Sequence, residues 1–541
     1  MDIIDRSIEI GKHITNNVSF INSTWDSFSN ITRNKKLIIY GVTDNIFFIW
    51  LRTNMYFLIS AAIDNDEKKQ GHKLKDFFDE SDLKDAENII IESKSILKLY
   101  NPDEVVIFIS SLKYSEEIAK DLDNENFHCY FSLLHLEFNY REYMKKNKLP
   151  FETLDTYKKN YAKQCLDNYQ IIDNKIVLYA QGSYTDHEKY IAKQLLSMNA
   201  QCDIVLIISR QINDVPRGIR IVFLANWKKC IYEMLTAKIW IFDVTIPNYI
   251  MKRKEQIYIQ TKHWGSITLK KFYLDAPSVR NVGSNEDDWK LNGEMMDYII
   301  SGSAFDEISC KRGFAFNGKF LRFGSPRSDV LFQHSKKYKE KICNKFNINI
   351  NNRILLYAPT YRFLNGKGEN RVFEELNLDF EMLLNSLKIK WNYDWKIFIR
   401  LHPGVRIQAK KISKPDYVID LSDYDDSQEL LAISDILISD FSSIMFEPAY
   451  VLKPVFLYAP DKDEYEKNDY ELLLDYNSLP FPISTTNEEL VKQIINFDEA
   501  KYKQEVKEFL DKYGVHEDGH ASERAAKFIL KLLSGEGDIH A

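Results

Sequence analysis

Two histidines lie in short polar segments where chemistry is expected. His263 follows the apolar run 256–260, and His402 follows the apolar run 395–399, two residues after Arg400. Imidazole titrates near neutral pH, so a histidine in either loop could remove the proton of an attacking hydroxyl group. The alternative for both is a structural role, as a hydrogen-bonded histidine at a strand end or turn.

A pair of serines follows a third apolar run. Ser442 and Ser443 come just after Asp440, where the run 436–439 is expected to lead into a helix. The free N–H groups and the positive dipole end of a helix start bind phosphate without a metal. Helix capping alone explains one serine and not two. A base, a cation and a phosphate-binding turn together predict phosphoryl-group chemistry.

The apolar runs predict the elements that position these residues. Loops that follow the strands of a parallel sheet meet at its carboxyl edge, where open α/β sheets bind ligands. Further runs alternate with helical patterns and lie at 36–40, 56–61, 104–110, 176–180, 203–209, 219–224, 239–243, 354–358, 418–420 and 455–458. This alternation predicts an α/β protein with parallel sheets.

Two consecutive Rossmann-like series from residue 175 onwards predict the GT-B fold, in which two halves face a cleft. The predicted divisions are an additional N-terminal Rossmann-like module at 1–150, a linker at 151–174, and the two halves at 175–338 and 339–541. The helix predicted at 522–533 is expected to brace the halves. The ligand of the N-terminal module stays open, because Gly41 is a single glycine where a dinucleotide fingerprint needs three.

Bulk properties narrow the class of protein. A chain of 541 residues is too long for one hydrophobic core, so two or three domains are expected. The net charge of −7 argues against a general attraction to nucleic acid. Six scattered cysteines without a C-x-x-C pair favour reduced thiols over a disulfide framework or a zinc site. The start lacks a signal-peptide pattern, and no apolar run approaches the roughly 20 residues of a membrane span. A cytoplasmic protein is expected, with 140–148 either touching the inner face of the membrane or forming a solvated helix end.

A set of motifs in fixed order resembles the CDP-glycerol glycerophosphotransferases, which build teichoic acids and related capsule polymers. The resemblance covers roughly 175–530, and any one motif alone would be weak. The motifs lie at 258–265, 269–271, 324–331, 357–362, 400–403, 439–443 and 518–524.

The resemblance implies transfer of glycerol phosphate, or a related polyol phosphate, from a CDP-activated donor to a hydroxyl of a lipid-linked or polymeric glycan, with release of CMP. His263 would be the base, on the acceptor-side half, and His402 would bind the donor phosphates on the other. The implied substrate-binding residues are Arg400, Ser442, Ser443, Asp440, Arg362, Arg327, Thr360, Lys270 and Lys271. Arg327 and Arg362 could equally form salt bridges. No cofactor and no dedicated metal site are expected, with Mg²⁺ assistance left open.

The chain departs from the family pattern at two places. The family carries Q-T-W-H-G-T-P-L-K-K, whereas Trp264 and Gly265 follow His263 here, as if two residues were inserted before Leu269, so a reshaped loop is expected. The family's Arg-Gly-Phe/Tyr segment is missing at 468–471, which leaves the CDP-linked group open; Lys462 or Lys467 could compensate. A GT-B glycosyltransferase that uses a nucleotide sugar and a non-catalytic assembly factor are the alternative functions.

Overall fold

The computed structural model describes 23–53, 58–78, 86, 88–149, 153–180, 183–209, 215–276, 286–333, 336–363, 371–372, 377–402, 405, 414–468 and 471–536. Residues 1–22, on which the signal-peptide prediction rests, lie outside this range, as does Pro403. The chain divides into two compact units. The first comprises 1–183, 202–240 and 247–256, and the second comprises 184–201, 241–246 and 257–541.

The first unit contains a parallel sheet with strand order β3-β2-β1-β4-β5. Its strands are β1 Lys36–Tyr40, β2 Ile59–Ile63, β3 Ile91–Glu92, β4 Val105–Ile109 and β5 Tyr130–Ser132. All five residues of β4 are buried, as expected for a central strand covered on both faces. The strand order reverses between β1 and β4, since β2 and β3 are added on one side of β1 and β4 and β5 on the other. Rossmann-like sheets bind ligands at such a position. There the Thr43 and Ser110 hydroxyls lie 3.0 Å apart, so the two loops are bonded to each other.

The same unit also contains the parallel strands β6 Ile172–Tyr179, β7 Asp203–Ile208 and β8 Ile219–Phe223. Its helices are Trp25–Thr32, Phe47–Thr53, Ser115–Asn124, Leu133–Lys146, Leu154–Asn168 and Trp227–Thr236. The helix Leu154–Asn168 occupies most of the predicted linker, and it buries Leu154, Ala162 and Cys165. The strand β9 Ala237–Phe242 spans the point where the chain passes into the second unit.

The second unit continues with the parallel strands β10 Ile257–Gln260, β11 Tyr298–Ser301 and β12 Lys319–Arg322. A second parallel sheet in this unit has the order β17-β16-β13-β18-β19-β20. Its strands are β13 Arg353–Ala358, β16 Trp395–Ile399, β17 Val418–Asp420, β18 Ile436–Ser439, β19 Val455–Tyr458 and β20 Ile483–Ser484, and the ribbon β14 Arg362–Phe363 with β15 Arg371–Val372 is antiparallel.

Twelve helices among the described residues complete the second unit. They are Asp186–Ser197, Glu286–Met295, Ala304–Gly313, Asp329–Phe332, Lys336–Lys345, Phe380–Trp391, Ser427–Ile433, Phe446–Tyr450, Lys462–Asn468, Asn487–Ile495, Glu499–Lys512 and Ala521–Leu533. Within the described ranges, no helix has both the length and the apolarity that crossing a membrane requires.

Register brings three strand ends together in the six-stranded sheet. Tyr357 of β13 pairs with Ile399 of β16 on one side and with Ile438 of β18 on the other. Because these strands are parallel, the loops after them begin at the same edge. The polar residues that follow β13, β16 and β18 are therefore neighbours although they are far apart in sequence.

Candidate active site

All the predicted site residues lie in the second unit, and His263 stands on the loop after β10. The His263 side chain is exposed, whereas Lys262 and Trp264 on either side of it are 1% and 4% exposed. The Lys262 ammonium bonds one oxygen of the buried Asp306 carboxylate, and the Trp264 indole N–H donates to the other at 3.1 Å. An exposed imidazole is thus carried between two anchored neighbours.

The Arg327 guanidinium also binds the His263 loop. Its Nη1 donates to the Asp186 carboxylate and to the His263 carbonyl, each at 2.8 Å, and its Nη2 donates to Glu447. Burial works to lower the pKa of Arg327, but the two carboxylates outweigh it and raise that pKa. The salt-bridge alternative is therefore observed for Arg327, and a contact with a substrate anion stays a prediction.

His187 is a second buried histidine at the His263 loop, and sequence reasoning missed it. Its Nε2 donates to the Trp264 carbonyl at 3.0 Å, while its Nδ1 accepts the backbone N–H of Arg327 at 3.4 Å. Burial lowers the pKa of His187 to about 3, so the ring is neutral, as one donor and one acceptor nitrogen require. The position offered no local signal, because both partners are distant in sequence.

His402 lies after β16 and is half-buried, with its ring centroid 4.6 Å from that of Tyr361. The preceding Leu401 N–H donates to the Ser422 hydroxyl at 2.9 Å. The Arg400 guanidinium bonds the Tyr424 carbonyl and reaches the Asp425 carbonyl at 3.5 Å. The backbone of this loop is therefore fixed by the neighbouring loop 422–425.

Asp440 organises the edge between β13 and β18. It accepts the Thr360 N–H at 2.8 Å and an Arg362 N–H at 3.0 Å. Arg362 also pairs with Asp461 through Nε at 2.5 Å and Nη2 at 2.9 Å, and its guanidinium lies 4.9 Å from the Tyr465 ring centroid. The ion-pair alternative is again the one observed. Among the described groups, the buried Thr360 hydroxyl has no hydrogen-bond partner.

The serine pair begins a single 3₁₀ turn, Ser443–Met445, that leads into the five-residue helix Phe446–Tyr450. Ser442 caps this turn by accepting the Ile444 N–H at 3.4 Å. The Ser443 hydroxyl accepts the Leu269 N–H at 3.0 Å. One serine therefore caps the turn, and the other holds the segment that carries the two predicted lysines.

Those lysines have different surroundings. The Lys270 ammonium lies 5.9 Å from the Tyr361 ring centroid and 5.4 Å from that of Tyr465, so it shares Tyr361 with His402. Lys271 pairs with the partly exposed Glu471 at 2.6 Å. Lys462, proposed as a substitute for the missing arginine, donates to Asn477 at 2.6 Å, and the Lys467 side chain lies outside the described part of the chain.

Three contacts join the His263 loop to the serine turn and its helix. Glu447 pairs with Arg327, the Tyr450 hydroxyl accepts the Ser266 N–H at 2.8 Å, and Ser443 accepts the Leu269 N–H. Motifs far apart in sequence, such as those of Ser266 and Tyr450 with a separation of 184 residues, thus contact each other. Within the described ranges, no group of three or more His, Cys, Asp or Glu side chains could hold a metal ion.

Glu517 is a further buried acid that sequence reasoning did not select. Each of its carboxylate oxygens lies 3.0 Å from the Ser325 N–H, and it also accepts the Ser266 hydroxyl. Burial raises the pKa of Glu517 to about 7, despite these hydrogen bonds. Gly302 and Gly324 leave room for it, because a Cβ on either would approach a Glu517 oxygen to within 3 Å.

Parallel sheets whose strand-end loops carry the candidate residues are the arrangement expected of a GT-B-type transferase. The wall teichoic acid polymerase TagF has a similar structure, with a TM-score of 0.60 and 26% identity over 71% of this chain and 95% of that one. The family of CDP-glycerol:poly(glycerophosphate) glycerophosphotransferases matches residues 163–531, and the chain belongs to this family. The predicted family, fold class and enzyme class are confirmed.

Curated relatives agree with this assignment. The teichoic acid poly(glycerol phosphate) polymerase of Bacillus spizizenii is 30% identical over 312 residues, which are 56% of this chain and 77% of that protein. The teichoic acid glycerol-phosphate transferase of Staphylococcus aureus is 27% identical over 375 residues, which are 66% of this chain and 94% of that protein. The chain is thus similar to a poly(glycerol phosphate) polymerase and to a glycerol-phosphate transferase.

Proposed function

We propose that the protein transfers glycerol phosphate, or a related polyol phosphate, from a CDP-activated donor to a hydroxyl of a teichoic-acid-like or capsular polymer and releases CMP. Membership of the family supports the reaction class. The observation that carries the proposal is the union of the His263 loop with the serine turn, through Arg327–Glu447, Ser266–Tyr450 and Leu269–Ser443. The proposed proton acceptor and the proposed phosphate-binding segment thus belong to segments that contact each other.

In the proposed reaction the exposed His263 imidazole takes the proton of the acceptor hydroxyl. The oxygen forms a bond to the phosphorus of the polyol phosphate, the bond from that phosphorus to the CMP phosphate oxygen breaks, and CMP leaves with the electron pair. Asp186 and the His263 carbonyl share one Arg327 nitrogen, so a carboxylate lies close to the histidine. It would favour the imidazolium that forms.

The ionisation of Asp186 is consistent with that role. Burial works to raise the pKa of Asp186, but the Arg327 guanidinium outweighs burial and holds that pKa below its ordinary value. Asp186 is therefore a carboxylate at neutral pH. The positive charge that His263 gains on taking a proton also lowers the pKa of Asp186.

On the donor side, His402, Arg400 and Lys270 would neutralise charge on the diphosphate, and Ser442 and Ser443 would donate hydrogen bonds to it. Phosphoryl transfer depends mainly on positioning and charge neutralisation, which these side chains can supply without a metal. The segment 468–471, which ends at Glu471, lacks the arginine that the family carries there. Which CDP-alcohol is the donor is therefore left to experiment. The acceptor is proposed to be lipid-linked or polymeric, at the inner face of the cell membrane.

A panel of nucleotide donors tests this function. We expect purified protein to release CMP from CDP-glycerol or CDP-ribitol in the presence of acceptor, with EDTA causing no loss. His263→Ala should lower the rate by about 10²- to 10⁴-fold, the usual range for a general acid–base group. His402→Ala should lower it by about 10²- to 10³-fold, as when one group that stabilises the charge of the transition state is removed. Steady-state CMP release measures both.

His128→Ala is the matched control, since His128 is exposed, pairs with Asp123 and lies in the first unit. It should leave the rate unchanged. Full CMP release by both active-site variants would refute the assigned roles. Release of a nucleoside diphosphate from a nucleotide sugar, with no CMP from any CDP-alcohol, would instead establish a glycosyltransferase.

A further inference from the structure

We propose that Asp306 is a positioning residue for His263, which it controls by binding the residues on both sides of it. The inference rests on the proposed role of His263 as the base. Asp306 lies in the first turn of the helix Ala304–Gly313, directly after β11, and its own N–H donates to the Ser303 cap at 2.9 Å. The carboxylate is therefore attached to a rigid element.

Both oxygens of this one carboxylate are used on the His263 loop. Oδ2 bonds the Lys262 ammonium, and Oδ1 accepts the Trp264 indole N–H at 3.1 Å. Asp306 and Lys262 are 0% and 1% exposed, so water cannot replace either bond without entering the core. The His263 imidazole, which makes neither contact, is held in place through the two residues that do.

The backbone at residue 262 shows why a clamp is needed. Lys262 has φ +65°, the left-handed region that side chains other than glycine rarely adopt. Its N–H donates to the Gln260 side chain at 2.9 Å. A strained torsion of this kind persists when its surroundings determine it, and the buried pair with Asp306 supplies that constraint.

Aromatic packing fixes the other side of the loop. The Trp264 ring centroid lies 4.6 Å from that of Phe272 and 6.4 Å from that of Phe314, whose plane is nearly parallel. Phe314 follows the last residue of the Asp306 helix. The indole is thus bounded by the helix at both ends, by the Asp306 carboxylate and by the Phe314 ring.

Lys262 and Trp264 directly flank His263, and they are the two residues that bind Asp306. A purely structural ion pair would stabilise the fold without affecting the reactivity of His263, and experiments can separate the two roles.

The first test compares kcat and KM. Asp306→Asn keeps an acceptor for the indole but removes the negative charge that holds Lys262. We expect kcat for CMP release to fall about 10- to 100-fold, since a misplacement of about 1 Å can cost that much, with KM for CDP-glycerol changed less than threefold. Glu233→Gln is the control, because the Lys175–Glu233 pair is equally buried, at 2.7 Å, and lies in the first unit. It should leave kcat unchanged.

The double variant Lys262→Met/Asp306→Asn removes both charges and so restores stability if Asp306→Asn folds poorly. A structural role predicts that kcat recovers together with the melting temperature. Positioning predicts that the melting temperature recovers while kcat stays low. Recovery of both would overturn the proposal.

A readout that does not need turnover keeps the two proposals apart. The rate at which diethyl pyrocarbonate modifies His263, followed by peptide mapping, reports the surroundings of the imidazole directly. We expect this rate to change at least threefold in Asp306→Asn and not in Glu233→Gln. An unchanged rate refutes positioning, whereas an altered rate in a protein that releases no CMP from any donor refutes only the proposed function.

Discussion

The side chains that fix the His263 loop carry charges that the chain buries in pairs. Arg327 lies between Asp186 and Glu447, and Lys262 binds Asp306. Removing such ions from water costs several kcal/mol each, so pairs of this kind add little net stability compared with apolar packing. These ion pairs instead fix the geometry of the loop, because hydrogen bonds to a shared carboxylate are directional and apolar contacts are not.

Glu517 predicts a pH dependence of stability at the residue scale. Burial raises its pKa from the ordinary 4.5 to about 7, so the folded protein holds this proton more tightly than the unfolded chain does. The stabilisation is complete below about pH 4.5 and is lost as the pH rises through 7. The melting temperature of Glu517→Gln relative to the wild type should therefore shift in favour of the variant between pH 5 and pH 8.

The quantity to compare is how the difference in melting temperature between Glu517→Gln and the wild type changes with pH. Its value at any one pH is not decisive, because glutamine also alters the hydrogen bonds from Ser325 and Ser266. Glu489→Gln provides a control, because Glu489 is exposed and its pKa is lowered by hydrogen bonds to Thr485. For that variant the difference should stay constant between pH 5 and pH 8, because a lowered pKa keeps Glu489 ionised in both the folded and the unfolded chain over this range. A difference that does not vary with pH for Glu517→Gln would contradict the assignment.

The residues found from sequence and those missed differ in how far their partners lie along the chain. His263 and His402 could be selected because each directly follows a strand, which is a local pattern. Asp306 and Glu447 could not, since their partners lie 42 to 120 residues away and only folding brings them together.

At the scale of elements, the C-terminal helix shows how one side chain can set a boundary. The predicted helix 522–533 is observed as Ala521–Leu533. Apolar periodicity was sufficient to find it. Its first turn is capped by Asp329, which accepts the Ala521 N–H at 3.0 Å and the Ser522 N–H at 2.7 Å. A cap from 192 residues upstream leaves no local signal.

Replacing that cap predicts a measurable loss. Asp329→Ala leaves two buried N–H groups without an acceptor and should destabilise the protein by about 0.5 to 2 kcal/mol, the range for a lost cap. Hydrogen exchange should accelerate at 521–524 before the rest of the helix. Asp329→Asn retains an acceptor and should recover most of the loss, whereas equal exchange in all three proteins would exclude the capping role.

Short strands mark the limit of element prediction. β16, β17, β18 and β19 were predicted at their observed bounds. β16, β18 and β19 each contain at least three consecutive buried apolar residues, which form a clear pattern. β3, β14, β15 and β20 have two residues each and carry no such pattern. The run predicted at 56–61 is observed as β2 Ile59–Ile63, and 54–57 lie outside the described residues.

At the scale of the whole molecule, the two units predict separable stability. Phe77 is 1% exposed in the first unit, and its ring centroid lies 4.3 Å from that of Phe223. Phe77→Ala should cost about 3 to 5 kcal/mol, as for other buried phenylalanines. Hydrogen exchange should then accelerate within 23–180 and 202–240.

The same variant should keep its rate of CMP release, because the candidate site lies entirely in the second unit. Leu99→Ala is the matched control, since Leu99 is 81% exposed in the same unit and its loss should change neither quantity. A parallel loss of activity and protection in Phe77→Ala would show that the units behave as one cooperative structure. The predicted domain boundaries at 150, 174 and 338 remain predictions.

The left-handed torsion at Lys262 also limits how the loop can diversify. Glycine and asparagine adopt this torsion readily, whereas the β-branched side chains of valine, isoleucine and threonine disfavour it. Backbone conformation therefore restricts which residues can replace Lys262. A substitution that keeps the loop conformation would therefore place glycine or asparagine at 262. Such a substitution would leave the Asp306 carboxylate without its cation until Asp306 was also replaced, so the two positions are expected to change together.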